Sequence, residues 1–226
     1  MSRRARIVIP DYPHHLVQKG NNSQNVFLER NDYLKYLELL EKNARKYRVK
    51  ILAYCLMQNH VHLLAIPLLV EALAEMMRAV AGGYSRYFNN KYDRKGRLWL
   101  TRFFSSVVDA QAYLWTVALY VECNPVRAGI VARAEDWEYS SARYHVLGKQ
   151  DLIVDEPLFD ESDMHEYRRL LKEGPPADEV EEIRTRTFAS KPIGASEFLL
   201  RLATSFGFAP TRKVGRPRTI SLTKNW

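Results

Sequence analysis

Residues 49–66 read VKILAYCLMQNHVHLLAI, and this stretch decides the fold class. Two β-rich runs within it are separated only by Gln58 and Asn59, a spacing typical of a β-hairpin. Helical patterns flank the hairpin, because apolar residues recur every three or four positions through 30–48 and 69–90. The hairpin therefore lies between two helices, as expected in an α+β domain.

Two further strands extend this pattern. Residues 14–18 precede the first helix, residues 102–108 follow the second, and a third helix is predicted from 110 to 123. The order strand, helix, strand, strand, helix, strand is that of the ferredoxin-like fold. The sequence thus predicts a four-stranded antiparallel sheet with helices on one face, followed by an added helix.

The chain of 226 residues is long enough for one domain and a sizeable tail. We predict a catalytic-type domain over residues 1–145 and a helical, partly disordered extension over 146–226. The extension changes in composition along its length, since 155–182 holds eleven acids and three bases whereas 207–226 is rich in Gly, Pro and Arg.

Composition excludes several classes of protein. The apolar fraction of 46% suits a globular core, and no apolar run approaches the roughly 18 residues that span a bilayer. The basic N-terminus lacks the apolar stretch of a signal peptide. Cys55 and Cys123 form no Cys-x-x-Cys pair, which favours a reducing compartment. We expect a cytoplasmic protein without a membrane partner.

The net charge of +8 is concentrated outside the acidic stretch. Such a basic surface is typical of proteins that bind a polyphosphate such as nucleic acid, although a solvated basic surface is equally compatible with it. The candidate DNA-binding residues are Arg86, Lys91, Arg94, Lys95, Arg97 and Arg102, with Arg216 and Arg218 in the tail.

His60 and His62 form the most informative pair of side chains. Alternate residues of a strand point to the same face, so the two imidazoles lie side by side. Two neutral imidazoles provide half of a site for a divalent metal. A pair of strand histidines without any ligand is the ordinary alternative. His14 and His15 are less informative, because adjacent strand residues face opposite ways.

Tyr120 and Asn124 could complete such a site, since residues four apart share a helix face. The phenol is a candidate nucleophile and the amide oxygen a candidate metal ligand. Two ordinary alternatives remain open. Tyr120 could be a core residue, and Asn124, which precedes Pro125, could be a helix cap.

Three strings together resemble a known family. They read YCLMQNHVHLL at 54–64, LWLTRF at 98–103 and YVECNPVRAG at 120–129. In this order and spacing they are similar to the REP-associated tyrosine transposases, a branch of the single-tyrosine HUH transposases, in which HUH denotes His-hydrophobic-His. The resemblance covers about residues 8–145.

This resemblance implies a metal-dependent endonuclease and strand transferase for single-stranded DNA. It implies that hairpin-containing repeats are the substrate and that the reaction passes through a covalent 5′-phosphotyrosine intermediate. By position, Tyr120 matches the nucleophile, and His60, His62 and Asn124 match the metal-binding residues. Mg²⁺ or Mn²⁺ is the implied metal. Insertion-sequence relatives usually carry Gln at the position of Asn124, so the sequence is closer to the repeat-associated branch.

The resemblance leaves the oligomeric state open between monomer and homodimer. Insertion-sequence relatives form dimers that exchange their tyrosine helices, whereas repeat-associated relatives can act as monomers. The tail segment 213–218 resembles an AT-hook, which would read the minor groove. Three functions are alternatives to strand transfer: an inactive hairpin-binding regulator of the same fold, a phosphodiesterase that uses water, and an RNA-binding domain. Only the tyrosine mechanism produces a covalent protein–DNA adduct.

Overall fold

The computed structural model describes residues 7–206. Its four strands form one antiparallel sheet in the spatial order β2-β3-β1-β4, which is the ferredoxin-like arrangement. The strands are β1 (His14–Lys19), β2 (Val49–Met57), β3 (His60–Pro67) and β4 (Phe104–Val107). The predicted fold class is confirmed, with β4 shorter than the predicted strand.

Helices α1 (Arg30–Tyr47) and α2 (Ala72–Lys91) pack on one face of the sheet, as predicted. Their apolar stripes meet strand residues such as Leu16 and Leu63, both fully buried. Buried aromatic residues fill the space between helices and sheet, with the Tyr36 and Tyr84 rings 5.3 Å apart.

The second face of the sheet is covered by α3 and by helices that follow it. The remaining helices are α3 (Leu114–Glu122), α4 (Asn124–Arg127), α5 (Ala142–Leu147), α6 (Met164–Glu173), α7 (Ala177–Phe188) and α8 (Ser196–Phe206). Helix α3 contacts β2 and β3, while α7 contacts β1 and β4. The described part of the extension therefore shares a core with the sheet, and the acidic stretch contributes two helices to it.

A buried carboxylate links α3 to this extension. Glu122 accepts hydrogen bonds from the hydroxyls of Ser141 (2.5 Å) and Tyr167 (2.8 Å), and its Oε1 lies 2.6 Å from His145 Nδ1. Glu122 is fully buried, and each of these three partners is at most 2% exposed. The network fixes α3 against α5 and α6, and so fixes the helix that carries Tyr120.

Between residues 7 and 206, the structure contains no helix that is both long and apolar enough to cross a membrane.

Candidate functional site

Three histidines lie on the sheet face that α3 covers, and we call this surface the histidine face (His15, His60 and His62). The register of β3 against β1 pairs His62 with Val17 and His60 with Lys19. The rings of His60 and His62 are 4.9 Å apart, as their spacing on one strand predicts. The two imidazoles are thus neighbours.

Tyr120 lies over this face from α3. Its ring centroid is 5.5 Å from that of His62 and 5.4 Å from that of His15, each in an edge-on arrangement. The side chain is 5% exposed. Its hydroxyl makes no hydrogen bond to any residue between 7 and 206. The predicted nucleophile and the histidine pair are therefore brought together within one chain.

Arg127 is the cation nearest to Tyr120. Its guanidinium carbon lies 4.4 Å from the centre of the tyrosine ring, and its Nη1 donates to the Tyr120 carbonyl oxygen at 3.0 Å. Burial raises the pKa of the Tyr120 phenol, and the positive charge of Arg127 partly opposes this shift. The phenol is consequently protonated at neutral pH, beside a cation that can stabilise its phenolate.

The histidine pair is held neutral. Burial lowers the pKa of His60 to about 4, with smaller contributions from the charges of Lys19 and Arg127. Burial also lowers the pKa of His62 well below its ordinary value, and the neighbouring His60 adds to the effect. Both imidazoles therefore keep a lone pair available at physiological pH.

The hydrogen bonds of the pair leave one ring nitrogen of each free. His60 Nδ1 lies 2.6 Å from Asn59 Oδ1, and His62 Nδ1 lies 3.0 Å from His15 Nε2. The Nε2 atoms of His60 and His62 have no such partner in the described part of the chain. Metal-binding imidazoles usually have their second nitrogen held in this way. The donor set fits a divalent metal.

Asn124 lies one turn beyond Tyr120, but its amide is engaged. Its Nδ2 donates to the carbonyl oxygens of Tyr120 (2.8 Å) and Val121 (3.1 Å), while its Oδ1 accepts from Arg127 Nη2 (2.9 Å). Among residues 7–206, no group of three or more His, Cys, Asp or Glu side chains is arranged to hold a metal. Two imidazoles are therefore the donors that are free in this arrangement.

The predicted DNA-binding residues separate into two groups. Arg86, Lys95, Arg97 and Arg102 are exposed. Lys91 is paired with Asp32 and Glu29, both at 2.6 Å, and Arg94 donates to Gln24. The charges of the first group are available to a ligand, whereas that of Lys91 is largely neutralised. Arg216 and Arg218 lie outside the described residues.

A groove of about 660 Å³ opens between α2 and the segment that leads to β4. Its lining includes Arg97, Arg102 and the exposed Leu100, together with Arg78 and Glu75, which form an ion pair with each other. Trp99 also borders it but is only 8% exposed, so it belongs mainly to the core. The groove combines positive charge with apolar surface, as single-stranded nucleic acid sites do.

The family of the chain follows from a match to a family model. The model described as "Transposase IS200 like" matches residues 9–124, which is just over half of the chain. The chain belongs to the IS200-like transposase family. The matched range includes the histidine face, Tyr120 and Asn124. A search of curated protein sequences found no match.

One solved structure supports the fold of this member of the IS200-like family, and a second was found at a lower TM-score. A REP-associated tyrosine transposase bound to a REP hairpin is similar over 72% of this chain and 96% of its own, with a TM-score of 0.53 and 18% identity. A Deinococcus radiodurans protein described as a transposase candidate is similar over 57% of this chain and 92% of its own, with a TM-score of 0.37 and 18% identity.

Sequence reasoning missed three residues of the site. The sequence gives no role to His15, because adjacent strand residues face opposite ways. His14 and His15 do face opposite ways, but the sheet register places His15 beside His62. Lys19 pairs with His60 across β1 and β3 and contacts the Phe188 ring at 4.1 Å. Arg127 falls inside the string 120–129, seven residues after Tyr120, and so was detectable as a residue two helical turns away.

Proposed function

We propose that this IS200-like transposase is a metal-dependent endonuclease and strand transferase for single-stranded DNA that uses Tyr120 as its nucleophile. The observation that carries the proposal is the 5.5 Å separation between the rings of Tyr120 and His62. A phenol beside two neutral imidazoles with free nitrogens can supply a nucleophile and two metal ligands for phosphodiester transfer.

His60 and His62 are the proposed metal ligands, each through Nε2. Asn124 is the proposed third ligand, and its Oδ1 would have to exchange the hydrogen bond from Arg127 for the metal. Mg²⁺ or Mn²⁺ bound there would polarise the scissile phosphate and neutralise part of its charge. Imidazole donors favour Mn²⁺ over Mg²⁺, because Mg²⁺ prefers oxygen ligands.

In the proposed reaction, the Tyr120 hydroxyl oxygen bonds to phosphorus as the bond from phosphorus to the 3′-oxygen breaks. The phenolic proton passes to solvent, and the departing 3′-oxygen is protonated to a hydroxyl. The 5′-phosphate remains attached to Tyr120, so a second 3′-hydroxyl can reverse the step on another strand. Arg127, over the tyrosine ring, stabilises the negative charge of the phenolate.

The proposed substrate is single-stranded DNA from hairpin-containing repeats. The exposed cations beside the groove, Arg97 and Arg102, can pair with phosphates. The hairpin bound by the structurally similar REP-associated transposase supports this choice. A catalytically inactive regulator that binds hairpins remains the second candidate, because the Asn124 amide oxygen is engaged by Arg127.

The test is capture of the covalent intermediate. The full chain is incubated with Mn²⁺ and labelled hairpin-bearing oligonucleotides, and the products are separated on a denaturing gel. We expect a labelled protein–DNA adduct from the wild type and none from Tyr120→Phe. Tyr113→Phe is the matched control, since Tyr113 is equally buried beside α3 and should retain the adduct.

Two outcomes would contradict the proposal. Nicking by Tyr120→Phe would favour a phosphodiesterase that uses water. Tight hairpin binding without any nicking by the wild type, with either metal, would favour the inactive regulator.

A further inference from the structure

A continuous series of hydrogen bonds runs from the extension to His62, one of the two histidines proposed to bind the metal. Thr187 Oγ1 lies 2.8 Å from His15 Nδ1, and His15 Nε2 lies 3.0 Å from His62 Nδ1. All three residues are buried, with exposures of 1%, 0% and 3% for Thr187, His15 and His62. These hydrogen bonds connect α7, β1 and β3, which are far apart in sequence.

The register of the sheet produces this contact. His15 is paired with Leu64 in the β1–β3 ladder, so His62 is its diagonal neighbour on the same face. The planes of the two imidazole rings are within 6° of parallel and their centroids are 5.2 Å apart. With the facing nitrogens 3.0 Å apart, the rings meet edge to edge, as a hydrogen bond in the plane of both rings requires.

The direction of these hydrogen bonds sets the tautomer of His62. In a bond between two neutral imidazoles, one nitrogen donates and the other accepts. If His62 Nδ1–H donates to His15 Nε2, then His62 Nε2 is free to bind a metal. His15 must then carry its own proton on Nδ1, where it donates to the Thr187 hydroxyl oxygen. The opposite direction would place the proton of His62 on Nε2 and block that nitrogen.

We propose that His15 is a positioning residue that holds His62 in its metal-binding tautomer, and that Thr187 of α7 fixes His15 in turn. The inference rests on the proposed function, because it takes His62 as a metal ligand. It adds that the extension completes the catalytic centre through one hydroxyl. Removal of such outer partners of a metal ligand typically weakens metal affinity 10- to 100-fold.

The first measurement needs neither metal nor DNA. Nitrogen-15 spectra of imidazole side chains in the full-length protein report which ring nitrogen is protonated. We expect His62 to carry its proton on Nδ1 and to have a bare Nε2 in the wild type. A proton on Nε2 of His62 in the wild type would overturn the inference.

The second measurement is Mn²⁺ affinity of the full chain, from the signal of free Mn²⁺ in electron paramagnetic resonance. Thr187→Val replaces the hydroxyl with a methyl group of similar size, while Thr187→Ser keeps the hydroxyl. We expect Thr187→Val to weaken Mn²⁺ binding about 10-fold. Thr187→Ser should stay within about twofold of the wild type, since its hydroxyl can still accept from His15.

His15 variants test the central residue of this series of hydrogen bonds. His15→Phe keeps a ring but leaves His62 Nδ1 without a partner, and we expect the Mn²⁺ dissociation constant to rise 10- to 100-fold. His15→Gln can place an amide oxygen near His62 Nδ1, so we expect it to recover most of the affinity. Urea unfolding of the metal-free variants shows whether each of them is folded. If His15→Phe does not fold, the comparison of Thr187→Val with Thr187→Ser provides the test.

The outcomes separate this inference from the proposed function. If the wild type binds Mn²⁺ and Thr187→Val binds it equally tightly, the role of Thr187 is overturned while the function stands. Equal binding by folded His15→Phe overturns the role of His15 in the same way. If the wild type binds no Mn²⁺ and forms no adduct, the proposed function itself fails.

Discussion

His14 and His15 are adjacent in β1, yet their imidazoles serve opposite faces of the sheet. His14 Nδ1 donates to the Tyr12 carbonyl oxygen at 2.7 Å, and its Nε2 accepts from the Ile9 amide at 3.2 Å. The bond from the Ile9 amide requires the neutral ring, because a protonated Nε2 cannot accept. Burial lowers the pKa of His14 to about 4.

This shift predicts acid destabilisation. The pKa of His14 is about 4 in the folded protein and 6.5 for an ordinary histidine, so the unfolded state binds the proton more tightly. Its stabilising contribution is complete above pH 6.5 and is lost as the pH falls toward 4, by about 3 kcal/mol in total. Urea denaturation of the metal-free protein between pH 7 and pH 4 measures the decline.

The contribution of His14 is separable from those of the other buried histidines. We expect His14→Asn to reduce the slope of the unfolding free energy against pH by about 1.4 kcal/mol per pH unit between pH 6 and pH 4.5. An unchanged slope would mean that His14 is protonated in the folded protein. His165, exposed on α6, offers a matched substitution, and His165→Asn should change the unfolding free energy at pH 7 by under about 0.5 kcal/mol.

The sequence makes His60, His62 and Tyr120 candidates because local spacing determines their directions. One strand places the two histidines on the same face. Tyr120 shares a helix face with Asn124, and the resemblance to the family supports its choice. His15 could not be found in this way. Its contact with His62 depends on the register between β1 and β3, and its contact with Thr187 joins residues 172 positions apart.

Glu122 is a second residue whose role depends on distant segments. It lies two residues after Tyr120 on α3 and is buried with three partners. Glu122→Ala leaves the Tyr167 hydroxyl and His145 Nδ1 buried without this partner, and we expect the unfolding free energy to fall by about 3 kcal/mol or more. Glu166→Ala on α6 is the exposed control and should cost under about 0.5 kcal/mol. A similar loss in both variants, measured in urea, would contradict the structural role of the Glu122 network.

At the scale of elements, the predicted DNA-binding residues at the end of α2 and in the segment after it fall into two groups, one held in an ion pair and one exposed. Lys91 pairs with Asp32, whose side chain is fully buried, and so ties α2 to the start of α1. Burial of Asp32 opposes ionisation, but hydrogen bonds, with that from Lys91 the strongest, lower the pKa of its carboxyl. Arg102 is exposed at the groove before β4.

Two alanine variants should therefore behave differently. Lys91→Ala leaves the Asp32 carboxylate without its cation, and we expect a loss of about 2 kcal/mol of stability with hairpin affinity within about twofold. Arg102→Ala should leave stability unchanged, weaken hairpin binding and reduce the salt slope of the binding constant by about 1. Urea denaturation and titrations at several salt concentrations measure both effects. Loss of affinity in Lys91→Ala without loss of stability would return Lys91 to the DNA-binding group.

The order of the first six elements was predictable, because helical and strand periodicity are local properties. The docking of α6 and α7 onto the second face was not. An acidic composition indicates solvent exposure, and most charges of these helices are indeed exposed, but Tyr167, Leu171 and Ile183 pack into the core beside α3. Those three residues are separated by charged ones, so the apolar stripe was obscured in the composition.

At the scale of the whole molecule, the ring of Tyr120 lies 5.5 Å from that of His62 in the same chain. A site assembled within one chain needs no exchange of tyrosine helices between subunits. The Glu122 network and the contacts of α3 with β2, β3 and α7 hold this helix in place. The catalytic unit is consequently expected to be a single chain, whether or not chains associate.

Mixing two inactive variants tests this arrangement. Tyr120→Phe keeps the histidine pair, and His60→Ala keeps the tyrosine, so each lacks one half of the proposed site. If the site forms within one chain, an equimolar mixture should yield no more covalent adduct on a denaturing gel than either variant alone. If chains exchange their tyrosine helices, a mixed dimer regains one complete site, and up to about a quarter of the wild-type adduct should return, since half of the dimers are mixed and each of these has one site of two. Co-refolding the two variants before the assay allows such exchange to occur, and recovery of the adduct under those conditions would refute the single-chain site.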